Sequence, residues 1–166
     1  MTHPTDTELL VAHPGPAATL TLDWDLVACN EEWAAVFTGL RTGDNLLEWL
    51  FTSPDARRLP EWRTTARHML LWYVDGQLRN GGEGHALAAL RPLATTSRAI
   101  RSLLADTDEA EVEVVFAEGA PVEVPDPETG DVRTYRFGPE SLTRFDPATA
   151  REATIGYTMR GTMCGQ

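Results

Sequence analysis

The sequence predicts an α+β fold: an antiparallel sheet of about five strands with a cluster of helices packed on one face. Two short β-type runs, Ala18–Leu22 and Leu26–Asn30, flank the tight polar break Asp23-Trp24-Asp25. Apolar residues then recur at helical spacing as far as Ala105. From Glu111 onward the spacing becomes two, the signature of strands. A chain of 166 residues, 42% hydrophobic and 23% charged, suits one globular domain. We expect a flexible leader over 1–16, a single domain over 17–162 and a tail over 163–166.

Residues 1–16 hold Pro4, Pro14, Gly15 and Pro16, so the leader is read as flexible or weakly helical, with Glu8 to His13 its periodic part. After the first hairpin, Asn30 can cap a helix, because its side-chain oxygen can accept from the orphan N–H groups. Glu31 to Phe37 then sets Trp33, Val36 and Phe37 on one face. A turn over Gly39–Asp44 leads to a short helix, Leu46–Phe51, and Ser53-Pro54 opens the next turn. The longest helix is expected from Glu61 to about Gln77, with Trp62, Ala66, Met69, Leu70 and Tyr73 as its apolar stripe and Trp72 on the shoulder. Adjacent glycines in Asn80–Gly84 make continuation costly. Helices follow at His85–Arg91 and Arg98–Ala105. Strands are expected at Val112–Phe116, Val122–Val124, Val132–Phe137, Ser141–Phe145 and Ala153–Met159, the first a candidate sheet edge and Asp126–Asp131 a turn.

Charge and cysteine content narrow the function. The formal net charge is −11, and no Lys/Arg cluster offsets it, so phosphate backbones would be repelled. Direct nucleic-acid binding by the chain alone is not expected; solubility, or a basic protein partner, accounts for the acidity. Two cysteines, Cys29 and Cys164, fit a reducing cytoplasm better than a disulfide-stapled secreted fold. No apolar run approaches the roughly 20 residues of a membrane span, and residues 1–11 show no signal-peptide core.

The sequence carries little that points to catalysis. The four His lack metal-ligand spacing, and His68 sits between Arg67 and Met69 near the edge of the buried stripe. No Gly-x-Ser-x-Gly is present, and Gly81–Gly84 lacks the Lys and Ser/Thr of a phosphate loop. Asp23 and Asp25 are explained by a hairpin turn. No catalytic residue, metal site or cofactor is assigned. The aromatic set is more informative. Trp33, Phe37, Leu50, Trp62, Met69 and Tyr73 come from helices facing the sheet, and Tyr135 and Tyr157 come from late strands. Ordinary core packing must hold for most of them, but such a cluster also lines apolar pockets with a few polar points.

Leu22-Asp23-Trp24-Asp25-Leu26-Val27-Ala28-Cys29-Asn30 resembles the opening of the MmyB-like ligand-binding domain. Asn45–Phe51 with Pro54-Asp55-Ala56-Arg57, then Trp62 and Ala66-Arg67, is similar to that family's next segment. Pro125–Gly130 is similar to its His-Pro-x-x-Gly turn, with Asp126 in place of the His. Residues Glu111–Glu123 are acidic and apolar where the family is Arg-rich, and no helix-turn-helix precedes the domain. The resemblance covers residues 15–160 and implies a PAS-like sensory module of actinobacterial transcription regulators. The element order, two strands, helices, then three strands, agrees with a PAS-like sheet. The resemblance further implies a small apolar, fatty-acid-like ligand held between helices and sheet, and a homodimer. The leader favours a stand-alone module. A ligand-free interaction module is the alternative, and a small hydrolase or isomerase ranks third.

Overall fold

A computed structural model describes residues 6–81, 98–105, 115, 117–126 and 128–165. Its elements are α1 (Asp6–Ala12), β1 (Ala17–Thr21), β2 (Leu26–Cys29), α2 (Glu31–Val36), α3 (Leu46–Thr52), a 3-10 turn (Ala56–Arg58), α4 (Trp62–Gly81), α5 (Arg98–Ala105), β3 (Ala120–Pro125), β4 (Val132–Asp146) and β5 (Arg151–Met163). The strands form one antiparallel sheet in the order β2-β1-β5-β4-β3. This is the expected PAS-like α+β arrangement.

Alternation along each strand builds the core face. Ala18 pairs with Met159, Leu20 with Tyr157, Val122 with Tyr135, and Phe137 with Gly161. These side chains meet buried residues of α2, α3, α4 and α5 in one apolar cluster. A Cβ at Gly161 would lie 2.7 Å from the Phe137 ring, so glycine at that position lets the ring lie flat over β5.

The hairpin between β1 and β2 differs from the polar break the sequence suggests. Trp24 occupies the left-handed region with φ 68° and is 1% exposed. Its carbonyl accepts from Leu46 N–H at 2.9 Å, and its ring meets Tyr73 edge-on at 5.6 Å. The strained backbone costs about 1–2 kcal/mol, and burial of so large an aromatic side chain outweighs it. Asp23 and Asp25 stay at the surface side of this turn because Trp24 takes the inward position.

Residues 6–16, expected as a flexible or weakly helical leader, carry the short helix α1 and are held to the sheet. The reason is Asn30, which is buried. Its Oδ1 accepts from Trp33 N–H and Ala17 N–H, both at 3.0 Å, and its Nδ2 donates to Leu10 O at 3.0 Å and Gly15 O at 2.8 Å. One side chain therefore caps α2, as the sequence predicts, and clamps α1 to the sheet. Leu10 is buried as a result.

Three strand expectations change. Within Val112–Phe116 only Val115 is described, and it is helical, as are Ala117 and Glu118; the rest of that run lies outside the described residues, as does the expected helix His85–Arg91. The two strands expected over 132–145 are one continuous β4. β5 reaches Met163 and Cys164 N–H donates to Thr134 O, so the sheet takes in part of the expected tail. The long helix runs four residues past its expected end, from Trp62 to Gly81 rather than to Gln77.

Candidate functional site

The helical stripe that the spacing predicts on α4 faces inward. Trp62, Ala66, Met69, Tyr73 and Gly76 are all buried. Trp62 Nε1 donates to Leu50 O at 2.8 Å, which fixes α4 against α3, and the Arg57 guanidinium lies 3.5 Å over the Trp62 ring. That cation–π contact contributes on the order of 0.5–1 kcal/mol at a partly exposed position.

Beside α4 lies an aromatic nest. Trp33 and Phe37 have ring centroids 4.2 Å apart, and Phe137 meets them at 5.8 and 5.6 Å in edge-on geometry. Trp49 closes the nest against Phe37 at 5.7 Å, and its Nε1 donates to Thr38 O. Trp33 is different: it is fully buried, and its Nε1 has no acceptor among the described residues. Such a donor costs about 1–3 kcal/mol relative to a satisfied one.

The structure brings most of the predicted site residues together, but into packed core. Trp33, Phe37, Leu50, Trp62, Met69 and Tyr73 are buried in a single cluster, with Tyr135 half-buried against it, 6.4 Å from Phe137. Tyr157 belongs to the same cluster and also lines a cavity. The residue that most concerns open space is Trp72, which the sequence placed on the shoulder of the stripe. Trp72 and Pro139 line two cavities. The smaller, about 200 Å³, lies between α4 and the β4–β5 pair and is walled by Asp75, Gly76, Ser141, Thr154 and Tyr157. The larger, about 550 Å³, reaches from Trp72 and Phe137 past residues 117–119 and His13 to the polar groups of Arg136, Glu140 and Arg160, exposed side chains on the sheet face away from the core. An Asp75–Arg79 ion pair at 2.9 Å lies at the smaller mouth. A Cβ at Gly76 would lie 2.6 Å from the Tyr157 hydroxyl, so glycine there lets β5 approach the helix. The helical period identified the stripe, but no local signal marks which flank of it borders the cavities, because that depends on how β4 and β5 run past α4.

Electrostatics set the state of the phenol next to Trp24. Burial, then the nearby Asp23 and Asp25 carboxylates and Tyr157, push Tyr73 up to about 12. Tyr73 therefore remains a neutral hydroxyl that can donate a hydrogen bond throughout the ordinary pH range. The Asp25 carboxylate serves structure: its Oδ1 accepts from Asn45 Nδ2 at 2.9 Å, and Asn45 Oδ1 in turn caps α3. The acidic depression beside them, about 350 Å³ and bordered by Asp25, Asp44 and Glu48, is framed by these turn contacts. Burial raises the Cys29 thiol above its ordinary value, which makes it a poor nucleophile. Asp126 is also structural. Its carboxylate accepts from the Glu128 and Thr129 N–H groups and pairs with Arg133.

A sequence model of the MmyB-like transcription regulator ligand binding domain matches residues 3–139, more than half of the chain. A comparison with curated proteins finds no match.

Proposed function

The chain belongs to the MmyB-like transcription regulator ligand-binding domain family, and from that premise we propose that it binds a small apolar, fatty-acid-like molecule between α4 and the sheet. Membership gives a regulatory ligand-binding role. The geometry supports an entry route. The observation that carries this reading is the pair of cavities meeting at Trp72, beside a core whose Trp33 indole N–H has no acceptor among the described residues. An apolar chain entering past Trp72 would extend along Phe137 and Tyr157 toward the aromatic nest. A polar atom of the ligand would find a donor in Trp33 there, and the nest's Phe37, Leu50, Trp62, Met69, Tyr73 and Tyr135 would form its wall. Entry requires the packed side chains to part, so the bound and free packings differ. A ligand with differential affinity for one of them shifts the population, and the shift is the signal.

The test is displacement of a fluorescent fatty acid, read with quenching of intrinsic Trp emission. Trp72→Ala is expected to weaken binding at least tenfold while leaving the melting temperature within a few degrees. Undiminished binding by that variant would refute this entry route. A second reading, an interaction module with a filled core, is favoured by the full burial of Trp33, Phe37, Leu50 and Met69. It predicts no displacement by the parent protein.

A further inference from the structure

We propose that two copies of this chain join edge to edge through residues 139–145 of β4. In β4, residues 132–137 pair with β3 on one side, and from Tyr135 onward β4 pairs with β5 on the other. Beyond Phe137 the β3 side is open among the described residues: β3 begins at Ala120, opposite Phe137, while β4 continues to Asp146. Among the described residues, β4 thus carries a free strand edge from Pro139 to Phe145. Cys164 N–H donates to Thr134 O, so even-numbered residues of β4 turn their backbone toward β5 and odd-numbered ones turn it outward; the register shift between Leu142 and Thr143 places its extra residue, Ile155, on β5 and leaves the alternation along β4 in step. The open edge therefore presents the Pro139 carbonyl and both polar groups of Ser141, Thr143 and Phe145. Such an edge tends to be paired or covered, and over residues 143–146, where β1 no longer flanks β5, a two-stranded ribbon is marginal in water.

The sequence of this edge is complementary to itself in one antiparallel register. Placed on a two-fold axis through Leu142, the midpoint of the free segment, each copy sets Ser141 against the other's Thr143 and Phe145 against the other's Pro139. On the opposite face Leu142 meets Leu142, and Glu140 meets Arg144 twice. Opposite charges directly across a sheet are favourable, and like charges are not. Shifting the axis to Thr143 would instead set Glu140 against Asp146. Shifting it to Ser141 would direct Phe145 against Phe137, whose edge β3 already holds. Charge and the limit of β3 thus select the same register. Phe145, 59% exposed, would be covered by the partner's Pro139.

The edge borders the cavities, since Pro139, Glu140 and Ser141 line them, so the test reads self-association by charge exchange and not ligand uptake. Glu140→Arg places two arginines opposite two arginines, and Arg144→Glu places two glutamates opposite two glutamates. Sedimentation of the intact parent is expected to show a monomer–dimer equilibrium that weakens at least tenfold in each variant. Mixing the two variants is expected to restore dimer, as a heterodimer in which both arginines of one copy face both glutamates of the other. Both positions are exposed, and circular dichroism checks that the fold persists. Thr143→Pro, which removes an outward N–H, is expected to abolish dimer in every combination. A parent that stays monomeric, variants that dimerise like the parent, or a mixture that fails to recover would each overturn the assignment.

Discussion

Replacing Gly76 by alanine probes the contact on which the α4–sheet cavity depends. In an exposed helix interior the change would stabilise by about 1 kcal/mol, because alanine loses less backbone entropy than glycine. Here the added methyl would lie 2.6 Å from Tyr157 Oη and 3.1 Å from its Cζ, closer than carbon and oxygen pack. Tyr157 is buried in the core cluster, so its ring has little room to retreat. Overpacking of this kind costs roughly 1–3 kcal/mol. The clash outweighs the propensity gain, leaving a net loss of about 1 kcal/mol, or roughly 2–4 °C in melting temperature for a domain of this size. In a Tyr157→Phe background the nearest obstructing atom is gone, and the remaining 3.1 Å contact needs a shift of only a few tenths of an ångström. There Gly76→Ala should be neutral or stabilising. A double-mutant cycle by thermal and urea melts therefore has an expected coupling of about 1–2 kcal/mol. Equal effects of Gly76→Ala in both backgrounds would refute the close approach of β5 to α4.

Other perturbations follow from the same contacts. Asn30→Ala removes four hydrogen bonds at once and should cost about 2–4 kcal/mol; limited proteolysis should then cut between residues 6 and 16, which it should spare in the parent. Asp126→Asn should lower the melting temperature near neutral pH. Two N–H groups and Arg133 hold the Asp126 carboxyl below its ordinary value, so its stabilisation is full above the usual carboxylate range and is lost as pH falls through the lowered folded-state value. The gap between parent and variant melts should therefore close in acid, and a gap independent of pH would contradict this. Met69→Trp, at a residue with no exposed surface, should overpack and destabilise by roughly 1–3 kcal/mol rather than plug an open cavity; an unchanged melt would show open space at Met69. The chain alone should not retard random duplex DNA at physiological salt, given its net charge of −11.

Much of the fold was legible because it rests on local signals. Asn30 announced a cap, the 62–66–69–73 spacing announced a buried stripe, and alternation announced β3 and β5. What could not be read depends on contacts distant in sequence. Asp23-Trp24-Asp25 reads locally as a polar turn, because nothing local reveals that Tyr73 and α3 receive the Trp24 ring and carbonyl. Asn30 reads as a cap, but its second set of bonds, to Leu10 and Gly15, is set by where α1 returns to the sheet. Gly138-Pro139 looks like a break between strands, yet β4 runs through it because Pro139 needs no N–H on an open edge. The aromatic residues chosen for the site were the right cluster for the core. Their proposed role in binding hangs on Trp72, whose half-buried position follows from the path of β4 and β5 and not from the helix that carries it.

The central claim is that a small apolar molecule is held between α4 and the sheet. Native mass spectrometry of the purified chain, before and after organic extraction and again after adding a long-chain fatty acid, tests it most directly. The account predicts a one-to-one adduct on the parent protein that extraction removes, fatty acid restores, and Trp72→Ala diminishes. A bare chain mass in all three conditions, with no displacement of a fluorescent fatty acid, would contradict it and leave the filled core as the better description.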